Sequence, residues 1–381
     1  MRREVGMFGA LMVMCLVLAV SNNDFLGQSN SINTLRQIAM LGIYAIGSGF
    51  VIITGGIDLS VGSVVGLTGV IIAKISSTAT GGGGHSLALG ITVALIVALL
   101  IGLAQGLLIT RLGLQPFIVT LAGMLLFRGL TEILLEGQTL GPFPDGLQKM
   151  GNGFLPEVGP NTNYHNITLL LGFALLAFVV LQEVRDRKRQ QEFALDVVPR
   201  NLFLLKLVAI AAAVLTVTML LASYKGAPII LIILGLLVVG YGYIMRNAVF
   251  GRHIYAIGGN LPAAKLSGVR DKKVTFLVFL NMGMLAALAG LVFAARFNAA
   301  SPKAGLNFEL EAIAASFIGG ASMSGGVGTV LGAIIGGLVL GVLNNGMNLL
   351  SVGTDWQQVI KGLALLAAVG FDVWNKRKSG S

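Results

Sequence analysis

The chain has 381 residues, 55% hydrophobic and only 11% charged, where soluble domains carry about 25% charge, and its mean hydropathy is +0.87. That balance excludes a soluble protein, and the lack of alternating ten-residue segments excludes a membrane β-barrel; an all-α polytopic membrane protein remains. The net charge of +10 has no soluble basic face to sit on, which excludes nucleic-acid binding and leaves Lys and Arg as markers of the inner loops. The one cysteine, Cys15, lies in the first apolar run, so there is no disulfide framework and no thiolate cluster.

The first span is predicted over about residues 5–20, with Arg2 and Arg3 holding its start inside. No small-residue cleavage site follows it, so the span is read as uncleaved. A polar external stretch leads to a second span, about 36–54, which runs inward to residues 55–62, GGIDLSVG. The third span, about 60–77, returns outward and the fourth, about 86–110, ends inside at Arg111. Pro116 opens the fifth span, where its missing N–H costs nothing. Arg128 and Glu132 stand four apart on that span, a spacing that suits a pair. They read either as a self-satisfied ion pair near the outer interface or as lining of the exit path.

Residues 136–166 are polar and rich in Gly, Pro and Asn, and are expected outside; they hold His165, with no metal partner at ligand spacing. The sixth and seventh spans, about 167–182 and 202–223, form a hairpin around a basic inner loop with Arg185, Arg187, Lys188, Arg189 and Arg200. The eighth span starts at Pro228. The longest inner loop follows at 246–273, and within it NLPAAKLSGV is written as a short helix: Asn260 as N-cap, Pro262 just inside, Gly268 near the C-cap. Spacing alone leaves this loop open between a docking surface for a soluble partner and an ordinary basic loop.

After a ninth span at about 274–296, the piece ELEAIAASFIGG, opened by Glu309 and Glu311, is too short to cross alone. It reads as a broken helix, ending in a second glycine-rich break at residues 319–328, GGASMSGGVG. Two more spans, with Asn344, Asn345 and Asn348 between them, lead to a basic end at 375–378. This gives about twelve membrane segments in a single transmembrane domain, 1–381. Both termini fall inside, and basic residues fall on that side at five separate places.

The two breaks organise the rest. Irregular backbone at membrane depth survives only where protein or a water-filled cavity surrounds it, and paired glycine-interrupted segments in two halves point to a transport pathway. Asp58 sits at the centre of the first break. An ionised carboxylate in the bilayer core costs roughly 3 kcal/mol or more, so Asp58 either fixes a helix end or works as a gate. No GxxxxGK[ST] string occurs, so a nucleotide-driven process would need another chain. The rival at this level is an ion-coupled secondary transporter using Asp58.

Five strings in order, VIITGGIDLSVGS, QPFIVTLAGMLLFRG, FGRHIYAIGGNLPAAKLSGV, ELEAIAASFIGGASMSGGVGTVLGA and NNGM, resemble the inner-membrane permeases of monosaccharide ABC importers, the ribose, galactose, arabinose and xylose type. The resemblance implies a ten-span core, here enlarged by the hairpin 167–223, a layout similar to xylose-type and multiple-monosaccharide permeases. It implies a second permease chain, here a homodimer, a periplasmic sugar-binding protein, and an ABC ATPase that carries the ATP and Mg, with no cofactor in this chain. It further implies that 246–273 docks the ATPase through Phe250, Gly251, Arg252, Tyr255, Gly259, Asn260, Ala263, Ala264, Ser267 and Gly268. Asp58, Ser60, Glu309 and Glu311 stand in the permease signature and, with Arg128 and Asn345, are the pathway or gating candidates. Where Glu311 stands the family often has Asp.

Overall fold

A computed structural model describes residues 2–78, 82–160, 163–193 and 197–379, and every regular element among them is a helix. In order these are α1 (Arg2–Ser21), α2 (Gln28–Ile53), α3 (Val61–Ser76), α4 (Leu87–Thr110), α5 (Pro116–Leu135), α6 (Asp145–Asn152), α7 (Asn166–Glu192) and α8 (Arg200–Ala222). There follow α9 (Ile229–Asn247), α10 (Val249–Gly259), α11 (Leu261–Leu266), α12 (Asp271–Phe297), α13 (Phe308–Ile318), α14 (Val330–Leu349) and α15 (Thr354–Ser379). The side chains of both basic ends, at 2–3 and 375–378, lie outside the described residues.

By length and composition, α2, α4, α5, α7, α8, α9, α12 and α14 can each cross a membrane. The chain is a multi-pass membrane protein. α3 has 16 residues and α13 has 11, about 24 and 16 Å at 1.5 Å per residue, short of a hydrocarbon core of about 30 Å. Each adjoins one of the breaks expected from the sequence. α2 stops at Ile53 and α3 starts at Val61; α13 stops at Ile318 and α14 starts at Val330.

The chain divides into two compact units, residues 153–229 and the remainder. In the larger unit α12 lies along α2, α3 and α4, while α14 packs on α2 and α13. Tyr44, Phe50, Val65, Phe279, Met282 and Ala315 meet in its core. α4 and α5 turn an apolar side outward, with Leu100, Leu103, Leu125, Leu126 and Ile133 exposed, a surface suited to lipid tails.

In the smaller unit α7 and α8 pack together. His165, expected in an open external loop, is buried: its Nδ1 accepts from the Thr168 N–H at 3.3 Å and caps α7. The sixth span also runs on past 182, as α7 continues helical to Glu192. Its charged residues are good helix formers. Glu183 pairs with Lys206 of α8 at 2.6 Å, and Arg187 donates to the Val198 carbonyl at 2.8 Å.

Two further helices lie where loops were expected. α6 interrupts 136–166, with Asp145 favourably placed in its first turn. α10 precedes the short helix of 246–273 and buries Gly251, Ile254 and Ile257, an i, i+3, i+6 face.

Candidate functional site

The first break is held from three sides. Asp58 Oδ1 accepts from the Ser60 amide and the Ser60 hydroxyl, both at 2.7 Å. This local turn fixes the entry to α3, and Asp58 is 3% exposed. Gln105 of α4 donates to Ser60 Oγ at 2.8 Å, and Thr120 of α5 donates to the Ile57 carbonyl at 3.2 Å. Thr120 thus gives a backbone carbonyl of the break a partner from α5, and Gln105 ties the Ser60 side chain to α4, the enclosure by protein that a break at membrane depth requires.

The α5 candidate, Arg128, turns away from Glu132. Its guanidinium donates to the carbonyls of Ala304 and Gly305 at 2.8 and 3.3 Å. These residues end the segment between α12 and α13, which passes against the start of α3. The half-buried guanidinium is thereby fixed by two backbone carbonyls rather than by the carboxylate a turn away. Glu309, in the first turn of α13, is buried against Gly62, and its Oε2 has no hydrogen-bond partner among the described residues. The second break is closed by its own backbone: Ser322 N–H donates to the Val327 carbonyl at 3.0 Å.

Glu311 collects partners from three helices. Its Oε1 meets Lys361 of α15 at 2.8 Å and Asn344 of α14 at 3.3 Å, and its Oε2 accepts from the Tyr44 hydroxyl of α2 at 3.3 Å. The Tyr44 ring stacks on Phe308, centroids 5.2 Å apart. Asn345 is engaged elsewhere, in a reciprocal amide pair with Asn30 at 2.7 and 3.0 Å. The structure therefore gathers Asp58 with Ser60, and Arg128 with the segment leading to Glu309, around α3, and leaves Asn345 with a separate partner.

The loop 246–273 contains the expected short helix as α11, capped by Asn260 Oδ1 accepting from the Ala263 N–H at 3.0 Å. Gly268 follows its end at φ +80°. Arg252, Gly259, Asn260, Ala263, Ser267 and Gly268 are exposed, Phe250 and Tyr255 are half-buried, and Gly251 and Ala264 face inward. The most exposed apolar group here is Leu266, at 91%. Tyr255 donates to the Gly328 carbonyl at 2.7 Å, and burial pushes its phenol above the usual tyrosine range.

Known permeases resemble the chain over nearly its whole length. A family model described as branched-chain amino acid transport system / permease component matches residues 30–369. The chain belongs to this permease family. The xylose transport system permease protein of Haemophilus influenzae is 40% identical over 366 residues, covering 96% of this permease and 94% of that protein. The Escherichia coli K12 protein of the same description is 39% identical over 367 residues, 96% and 90% of the two chains. The ribose import permease protein of Bacillus subtilis is 35% identical over 370 residues, 97% and 92%. No solved structure matches. The resemblance carried by the five strings therefore stands.

Gln105, Tyr44, Lys361, Asn30 and Leu266 were not singled out from the permease sequence. Gln105 and Lys361 carried a usable signal, as isolated polar side chains inside apolar helices. The others owe their places to packing.

Proposed function

We propose that the chain is the membrane gate of a binding-protein-dependent importer for D-xylose or a related aldose, worked by a separate ATPase that seats on α10 and α11. The exposed tip of α11 carries this reading. A leucine left 91% exposed on a capped helix beside exposed Ala263 is the kind of apolar anchor a soluble partner covers. Relatives of the xylose type at 40% identity, against 35% for the ribose type, favour xylose.

In this reading twelve segments lie in the membrane, α1 to α5, α7 to α9 and α12 to α15, with α3 and α13 spanning only part of it beside the breaks, and both termini share the basic inner side with α10 and α11. Two such chains pair; ATP and Mg reside on the ATPase, and an external binding protein delivers the sugar. The breaks move between inward-open and outward-open arrangements, and their Ser- and Gly-rich walls suit a neutral polyol. Cysteine placed at Ala263 or Leu266 is expected to crosslink to the ATPase in native membranes, whereas at Ala264, which faces inward, it is not. No crosslink at either exposed position, with D-xylose still entering cells that lack the ATPase, overturns the proposal.

The ion-coupled rival makes Asp58 the ion site, and the turn it forms argues for a fixing role instead. Asparagine keeps the Oδ1 acceptor, so Asp58→Asn is expected to retain at least half of D-xylose uptake, while Asp58→Ala loses both bonds and about 2 kcal/mol of stability. Uptake assays and thermal melts of the purified variants check this. Abolished uptake in a normally folded Asp58→Asn protein favours the rival.

A further inference from the structure

Three distant segments cross at Gly258. A Cβ built there would fall 1.7 Å from the Ile53 carbonyl oxygen and 2.4 Å from the Gly326 nitrogen, so only glycine fits. Those two atoms are themselves joined, Gly326 N–H donating to the Ile53 carbonyl at 2.9 Å. Ile53 is the last residue of α2, directly before the first break, and Gly326 lies within the second. One turn back along α10, Tyr255 reaches the same second break through the Gly328 carbonyl at 2.7 Å. At Gly258 the contact is backbone against backbone, with no long side chain to absorb a displacement, and glycine lets packed helices approach this closely.

We propose that Tyr255 and Gly258 join α10 to both breaks as one joint, so that a push on α10 moves the end of α2 and residues 325–328 together. The proposal rests on α10 and α11 being the ATPase seat. It makes Tyr255 a positioning residue for coupling, in addition to any part it has in docking. Breaks in paired membrane helices are where transporters take up rocking motion; a joint tying both to one inner helix delivers a single stroke to both at once.

The test is a proteoliposome assay of the whole importer, measuring D-xylose import and ATP hydrolysis on the same sample. Tyr255→Phe keeps the ring and removes the donor. Its ATP hydrolysis is expected to persist while D-xylose imported per ATP falls about fivefold, the effect of one lost hydrogen bond. Gly258→Ala is expected to lower the ratio further, and Gly240→Ala, whose added methyl meets nothing within 4 Å, to leave it unchanged. A merely structural role lowers import and hydrolysis in step, so an unchanged ratio in both Tyr255→Phe and Gly258→Ala overturns the proposal. Failure of the unaltered importer to move D-xylose or D-ribose on ATP is a different result: it overturns the proposed function before any variant is compared.

Discussion

Glu311→Leu is expected to destabilise the bundle by about 3 kcal/mol, the scale of an unpaired lysine at membrane depth, and to cut D-xylose uptake more than tenfold. Glu311 and Lys361 are only 15% and 31% exposed, with 2.8 Å between them. Losing the carboxylate leaves the ammonium without its counter-charge, and Tyr44 and Asn344 lose their common acceptor at the same time. The opposite deletion is milder. Lys361→Leu leaves Glu311 two neutral donors, so its cost is set at about 1–2 kcal/mol. The double variant removes both charges, and apolar replacement of an ion pair is often close to neutral; it is expected to recover most of the loss of Glu311→Leu. Melting temperatures of the four proteins in detergent give the cycle. If Glu311→Leu melts with the parent protein, the pair contributes nothing. If the double variant is worse than both single ones, packing rather than charge governs the site.

How much of this was readable without coordinates depends on whether the partner of a residue has a letter of its own. The breaks were legible because an apolar run that meets Gly-Gly and then Asp or Ser cannot continue as a buried helix, and both lie within two residues of where the glycines put them. α11 was legible because Asn260, Pro262 and Gly268 stand at the start and stop positions of a short helix. Arg128 was not. The i, i+4 rule offered Glu132, but a guanidinium sees backbone carbonyls as well, and those of Ala304 and Gly305 come from a segment 176 and 177 residues away. Tyr255 and Gly258 were missed as a joint for the same reason, since both meet main-chain atoms of other segments. Glu311 was named but its partners were not, because a cluster drawn from α2, α14 and α15 exists only after the helices pack. The sequence of α10 did hold a periodic apolar face; the basic residues around it outweighed that signal.

The start of α3 gives the sharpest packing test. Gly62, Gly66 and Gly69 line one face of that helix at i, i+4 and i+7, and the chain on the other side comes progressively less close. A Cβ on Gly62 would lie 2.1 Å from the Gly305 carbonyl oxygen and 2.2 Å from Glu309 Oε2; on Gly66, 2.7 Å from the Ala304 carbonyl oxygen; on Gly69, 3.3 Å from the Ala294 methyl. The Gly305 and Ala304 carbonyls cannot easily retreat, because Arg128 holds both from α5. Overpacking a rigid core costs about 1–3 kcal/mol, and Gly62→Ala is expected at the top of that range, Gly66→Ala near its middle and Gly69→Ala below its lower end. Uptake should fall in the same order, more than tenfold for Gly62→Ala, since it displaces the segment that carries Glu309 into α13. Thermal melts and D-xylose uptake of the three variants read both quantities. Equal effects at all three positions would mean that alanine is resisted by the helix itself, and the grading by distance to 304–309 would be wrong. The expected order, if found, would identify that segment, pinned by Arg128, as the rigid wall against which α3 and the first break are set.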